Sequence, residues 1–109
     1  MTRTGDSHRV RHCETMVEVR AHIDALDARI VPLVAARSPY VAQAGRIKQS
    51  ADEVHDQPRI NAIIARVRKL AIEHGAPPDI VEATWRAMIA ASMEFEHAEF
   101  ARLHDQDKP

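Results

Sequence analysis

Arg37 and Lys48 stand eleven residues apart in the stretch VAARSPYVAQAGRIK, residues 34–48, where the surrounding spacing calls for apolar residues on the buried stripe of a helix. On an α-helix that separation leaves about 20° between the two side-chain directions and about 16 Å along the axis, so two long cationic side chains can curl toward one point. Such a pair suits a small anion. Farther along, Ser92 and Glu96 are i,i+4 neighbours on a face otherwise made of Trp85, Met88 and Ile89. Two cations, a hydroxyl and a carboxyl group that face an apolar interior require partners, because an unpaired buried charge costs several kcal/mol. Pairing of Arg37 or Lys48 with Glu96, or a cation extended to solvent at a helix edge, meets that requirement without any ligand. Arg20 has an equally plain explanation as a solvated residue paired with Asp24. It lies about 25 Å from Arg37 along a continuous helix, so the two share a site only if Arg20 comes from a second chain.

Other chemistries find little material. His8, His12 and Cys13 have loose ligand spacing within an irregular N-terminal stretch, His97 and His104 are seven apart on a helical tail, and neither H-E-x-x-H nor C-x-x-C occurs. No metal site is expected. G-x-S-x-G, Walker and G-x-G-x-x-G patterns are absent, and three glycines leave little with which to cradle a phosphate. A net charge of −1 argues against nucleic acid, whose phosphates call for a clearly basic surface. The charge is uneven: eight Lys/Arg against five Asp/Glu over residues 1–50, and seven against eleven over 51–109. The halves could therefore attract each other or a second chain. A single cysteine rules out an intrachain disulfide, and no apolar run marks a signal peptide or membrane span, so a cytoplasmic location is expected.

The elements that must position these side chains read as three helices and no strands. Residues 1–14 lack periodicity and are expected to form a flexible arm. Thr15 with Glu18 forms a capping box, and Val19, Ile23, Leu26, Ile30 and Leu33 then recur at helical spacing. Pro32 and Pro39 each remove a backbone donor, but seven residues apart they lie on nearly the same side of the cylinder. A single bent helix to about residue 49 is expected, with a break near residue 38 as the alternative. Residues 50–57 read as a loop in which Asp56 caps a second helix with Pro58 in its first turn. That helix carries Ile60, Ile63, Ile64, Val67, Leu70 and Ala71 and stops at Gly75, Pro77 and Pro78. Asp79 with Glu82 repeats the capping signal and opens a third helix, with Ile80, Trp85, Met88, Ile89, Ser92, Phe95, Glu96 and Phe100 along or beside its inner face. The helical domain spans 15–104, and 105–109 are expected to be a disordered tail. A first helix of about 34 residues would run about 50 Å, longer than a chain of this size covers alone, which points to an intertwined homodimer.

The pattern R20-x-x-I-D-x-L-D27, with Arg37 ten residues later and Lys48 eleven beyond, resembles the all-helical class of chorismate mutase and its relative isochorismate pyruvate lyase. The resemblance covers roughly residues 16–104. It implies an intertwined dimer of three-helix subunits with two active sites, each receiving an arginine from the partner's first helix. Under it, Arg20 of the second chain and Arg37 bind the substrate's two carboxylates, and Lys48 reaches the ether oxygen and a nearby carboxylate. Asp56 lies near the ring hydroxyl, Ser92 near a carboxylate, and Glu96 holds the position where many bacterial members have Gln and fungal mutases have Glu. Ile60 departs from the pattern, since typical bacterial mutases carry a Glu there and the lyase branch an apolar residue. Pro39, just after Arg37, is a second departure.

The implied reaction explains the residue types. Chorismate rearranges to prephenate in one pericyclic step without nucleophile, metal or cofactor, and the ether oxygen gains negative charge as its C–O bond stretches. Catalysis then consists of holding the reactive conformer and aiming fixed donors at that oxygen. Lys48 supplies such a donor, whereas Glu96 supplies one only when protonated. Burial and a dianionic substrate favour the protonated form and Lys48 opposes it; if the first two prevail, activity is expected to favour mildly acidic pH.

Overall fold

The computed structural model describes residues 10–105, and among them every regular element is helical. Helix α1 is Met16–Ile47, a 3₁₀ turn follows at Ala51–Val54, α2 is Gln57–Glu73 and α3 is Pro78–Asp105. The expected all-α architecture of three helices with the longest first is therefore what forms. The first nine residues of the arm and positions 106–109 of the tail lie outside the described residues. No helix among the described residues is long and apolar enough to cross a membrane. Contacts divide the chain into two units, Met1–Ala35 and Ala36–Pro109.

In the first unit, Thr15 starts α1: its Oγ1 accepts from the Glu18 N–H at 3.2 Å and its carbonyl from the Val19 N–H at 3.2 Å. Glu18 reaches back to the N–H of Glu14 at 3.0 Å, one residue before the position a strict capping box uses. The apolar stripe that follows is uncovered, with Ile23 51%, Leu26 44%, Ile30 54% and Leu33 70% exposed. Periodicity identified an apolar face correctly, but this chain does not bury it. Pro32 and Pro39 both sit inside α1 without interrupting it, so the break near residue 38 does not occur. Each proline deletes a single donor while the flanking hydrogen bonds persist.

In the second unit, Ile63, Ile64 and Val67 of α2 and Ile89 of α3 form the core, with Ile60, Val81, Trp85 and Met93 packed against it. The expected buried positions Leu70 and Ile80 are instead 43% and 65% exposed. They sit at the edge of the stripe, where one partner helix covers only part of a cylinder. Asp56 caps α2 as expected, its carboxylate accepting from the Arg59 N–H at 3.1 Å. At the other end, Gly75 takes φ +74°, and the Ala76 N–H bonds the Ala71 carbonyl at 2.8 Å, a helix stop that needs a left-handed residue. The polar stretch expected to be loop contains the 3₁₀ turn. Ser50 and Glu53 form a reciprocal capping box, which drives Val54 into a buried position.

The start of α3 corrects the capping assignment. Pro78, not a residue after Asp79, is the first helical residue, because a missing N–H costs nothing at that position. Asp79 and Glu82 serve another purpose: Arg68 of α2 donates to both, at 3.1 and 2.7 Å, and Arg86 donates to Glu82 at 2.7 Å. Hydrogen bonds from Arg86 and then Arg68 hold the Glu82 carboxyl below its ordinary value of 4.5. A lowered folded-state value means the stabilisation is complete above about 4.5 and is lost as pH falls through the lower folded value. Thermal midpoints measured from pH 7 to 3 are therefore expected to fall below pH 4.5, and Glu82→Gln is expected to flatten that decline. An unchanged slope in the variant would remove this cluster as its cause.

Candidate active site

The last three turns of α1, the 3₁₀ turn, the first two turns of α2 and the middle of α3 surround a cavity of about 360 Å³. All of it belongs to the unit that starts at Ala36. Helix α1 contributes Arg37, Tyr40, Val41 and Ala44, and Lys48 follows its last residue with its N–H still bonded to the Ala44 carbonyl at 3.0 Å. The α2 end contributes Asp56, Arg59, Ile60 and Ile63, and α3 contributes Ile89, Ser92, Met93 and Glu96. Val54 closes one side from the 3₁₀ turn.

Two polar contacts cross from α1 to α3 within this cavity. The Arg37 Nη1 donates to Ser92 Oγ at 2.9 Å, and the Lys48 ammonium donates to Glu96 Oε2 in an ion pair. The eleven-residue spacing on α1 is thus answered by the four-residue spacing on α3, one contact at each end. The Glu96 side chain is the deeper of its pair, 9% exposed against 27% for Lys48. A carboxylate that deep needs its cation, and the ammonium provides a charge-assisted hydrogen bond. The simple pairing of Lys48 with Glu96 therefore does form, and it forms in the wall of an open cavity.

Six of the seven residues singled out from the sequence, Arg37, Lys48, Asp56, Ile60, Ser92 and Glu96, line this one cavity. Arg20 does not; it is exposed on α1. Two polar lining residues, besides the apolar Val54 and Met93, escaped the sequence reading. Arg59 lies between Asp56 and Ile60 in the first turn of α2 and adds a third cation, and Tyr40 follows Arg37 by three residues on the same face. Both signals were available, since a helical position three or four from a site residue shares its face. With Arg59 counted, three cations line the cavity against the carboxyl groups of Asp56 and Glu96.

This arrangement suits binding and electrostatics better than covalent chemistry. Ser92 accepts from an arginine, which cannot take its proton, so this contact does not activate it as a nucleophile. No group of three or more His, Cys, Asp or Glu side chains is placed to hold a metal among the described residues. What the cavity offers an anionic guest is donors from α1, α2 and α3 beside apolar lining from residues such as Ile63 and Ile89.

The family model for chorismate mutase type II matches residues 19–97, well over half of the chain. Among curated proteins, none matches significantly.

Proposed function

The chain belongs to the type II chorismate mutase family, and from that premise we propose that it rearranges chorismate to prephenate in the cavity between α1 and α3. The observation that carries this reading is the convergence of Arg37, Lys48, Ser92 and Glu96 on one cavity, in two cross-helix contacts. Arg37 grips one carboxylate of the substrate with its planar fork, and Ser92 keeps that fork in place. Lys48 donates to the ether oxygen, where charge grows as the C–O bond stretches, so its interaction strengthens toward the transition state. Asp56 faces the ring hydroxyl, and Arg59 adds a cation toward the substrate's negative charge.

A second chain completes the site. Arg20, exposed on α1, is supplied in trans to the other carboxylate, and the uncovered stripe of Ile23, Leu26, Ile30 and Leu33 is the surface that a homodimer would bury. No metal or cofactor takes part, because bond making and breaking are concerted and need only the reactive conformer and fixed donors.

Glu96 faces the same ether oxygen. A carboxylate there repels its growing charge, whereas a neutral donor such as an acid or amide supports it. Glu96→Gln, a permanent donor, is expected to retain activity that Glu96→Ala loses, read as kcat at one fixed pH. Equal losses in the two variants would take Glu96 out of this role.

Ile60 favours a second reading. It lines the cavity where mutases of this class carry a Glu toward the ring hydroxyl, and an apolar residue there suits isochorismate, whose hydroxyl sits on another ring carbon. The reaction would then be pericyclic loss of pyruvate, leaving salicylate. Separate incubation of the protein with chorismate and isochorismate distinguishes the readings: prephenate supports the mutase, and salicylate with pyruvate supports the lyase. Turnover of neither would leave a helical interaction module without catalysis.

A further inference from the structure

Gly45 is the buried residue of α1, placed in the interior of a long helix where glycine is among the poorest choices. Its surroundings supply the reason. A Cβ at this position would stand 3.0 Å from the Glu96 backbone oxygen, 3.4 Å from Glu96 Cγ and 3.4 Å from Glu99 Cβ. Glu96 Cγ could give way by rotation about its χ1 bond, but the Glu96 carbonyl and the Glu99 Cβ are fixed to the α3 backbone and could move only with the helix. At Gly45 the backbone of α1 thus lies close against α3 beside Glu96, the residue whose carboxyl meets Lys48. Lys48 is three residues beyond Gly45, and Arg37 with Ser92 bridges the same pair of helices at 2.9 Å, a length that tolerates only a few tenths of an ångström.

We propose that Gly45 is a positioning residue: its missing side chain lets α3 approach α1 closely enough for the Glu96 carboxyl to reach the ether oxygen beside Lys48. Gly45 touches no substrate. Its effect passes through the depth of Glu96, and it rests on the reading of Glu96 given above. Donors in such a site act only within a narrow tolerance, and a shift of a few tenths of an ångström moves the donor while leaving the cationic binding groups able to adjust.

The test compares Gly45→Ala, Glu96→Ala and the double variant, as full-length protein, with whichever of chorismate or isochorismate the parent turns over. In Gly45→Ala, the better helix propensity of alanine offsets the crowding, so helix content and thermal midpoint are expected to stay close to the parent's. At the same time kcat should fall at least about tenfold while KM moves less than about threefold. In the Glu96→Ala background the same substitution should cost less than about twofold in kcat, since the group it misplaces is gone. Parental kcat in Gly45→Ala overturns the assignment, and so do losses that multiply in the double variant. A Gly45→Ala chain that fails to fold overturns it too, because the glycine would then serve folding and not placement. If Glu96→Ala alone keeps the parental kcat, the catalytic role of Glu96 fails and the assignment of Gly45 with it. A crippled Glu96→Ala beside a parental Gly45→Ala sinks only the assignment of Gly45.

Discussion

Lys48→Ala is expected to lower kcat by about 10³-fold, the loss that follows when a fixed donor is withdrawn from a developing oxyanion. The magnitude is at the upper end for a single donor because this one carries a full charge and stands in a cavity partly lined by apolar side chains. A second effect travels with it. Glu96, its side chain 9% exposed, would lose its cation, and stranding one member of a buried pair destabilises a protein. Because the Lys48 side chain is still 27% exposed, roughly 2 kcal/mol is expected here, less than for a fully buried pair. Adding Glu96→Gln to Lys48→Ala separates the two effects: stability should return, since a neutral amide needs no cation, while the rate should not. Lys48→Arg should restore little, because a broad planar group does not replace a compact ammonium at one oxygen atom. Parental kcat in Lys48→Ala, measured by single turnover, would remove the central donor from the proposed mechanism.

The second large effect concerns two inactive proteins that become active when mixed. Arg20→Ala and Arg37→Ala are each expected to lose nearly all activity, because each removes the partner of one substrate carboxylate from every site. If Arg20 is supplied in trans, a mixed dimer has one site with both defects and one site with neither. Unfolding and refolding the two variants together in equal amounts gives half heterodimers, with one intact site in two, so about a quarter of parental activity should return. Co-refolded variants that stay inactive would show that Arg20 serves its own subunit's site or none. The uncovered face of Ile23, Leu26, Ile30 and Leu33 makes the same experiment informative about assembly, since dilution should abolish the recovered activity at the concentration where the dimer dissociates.

Features written in adjacent residues were readable from the sequence. Thr15 and Asp56 start helices because their side chains bond backbone donors three residues away, and Gly75 stops one through its own φ. The lining of the candidate cavity was partly readable, because Arg37 with Lys48 and Ser92 with Glu96 are oddities of helical spacing, and each pair marks one wall. Part of what escaped depends on groups distant in the chain. Asp79 and Glu82 looked like a cap, yet they answer Arg68 of α2, a partner no local pattern names. Arg59 was overlooked between two chosen neighbours because a charged residue in a first helical turn ordinarily faces solvent. The stripe on α1 illustrates the same limit: periodicity tells which face is apolar but not what covers it. The 3₁₀ turn was missed although Ser50 and Glu53 carry the S-x-x-E signature, because too few residues follow for an apolar periodicity to develop.

Trp85 is the only tryptophan in the chain, and it packs against the α2–α3 core without lining the cavity. Its indole emission is therefore a native optical gauge of whether those helices remain docked, one that a guest in the cavity does not touch. Fluorescence followed during a titration can thus distinguish a variant that has come apart from one that has only stopped taking up its ligand, with no dye or tag attached.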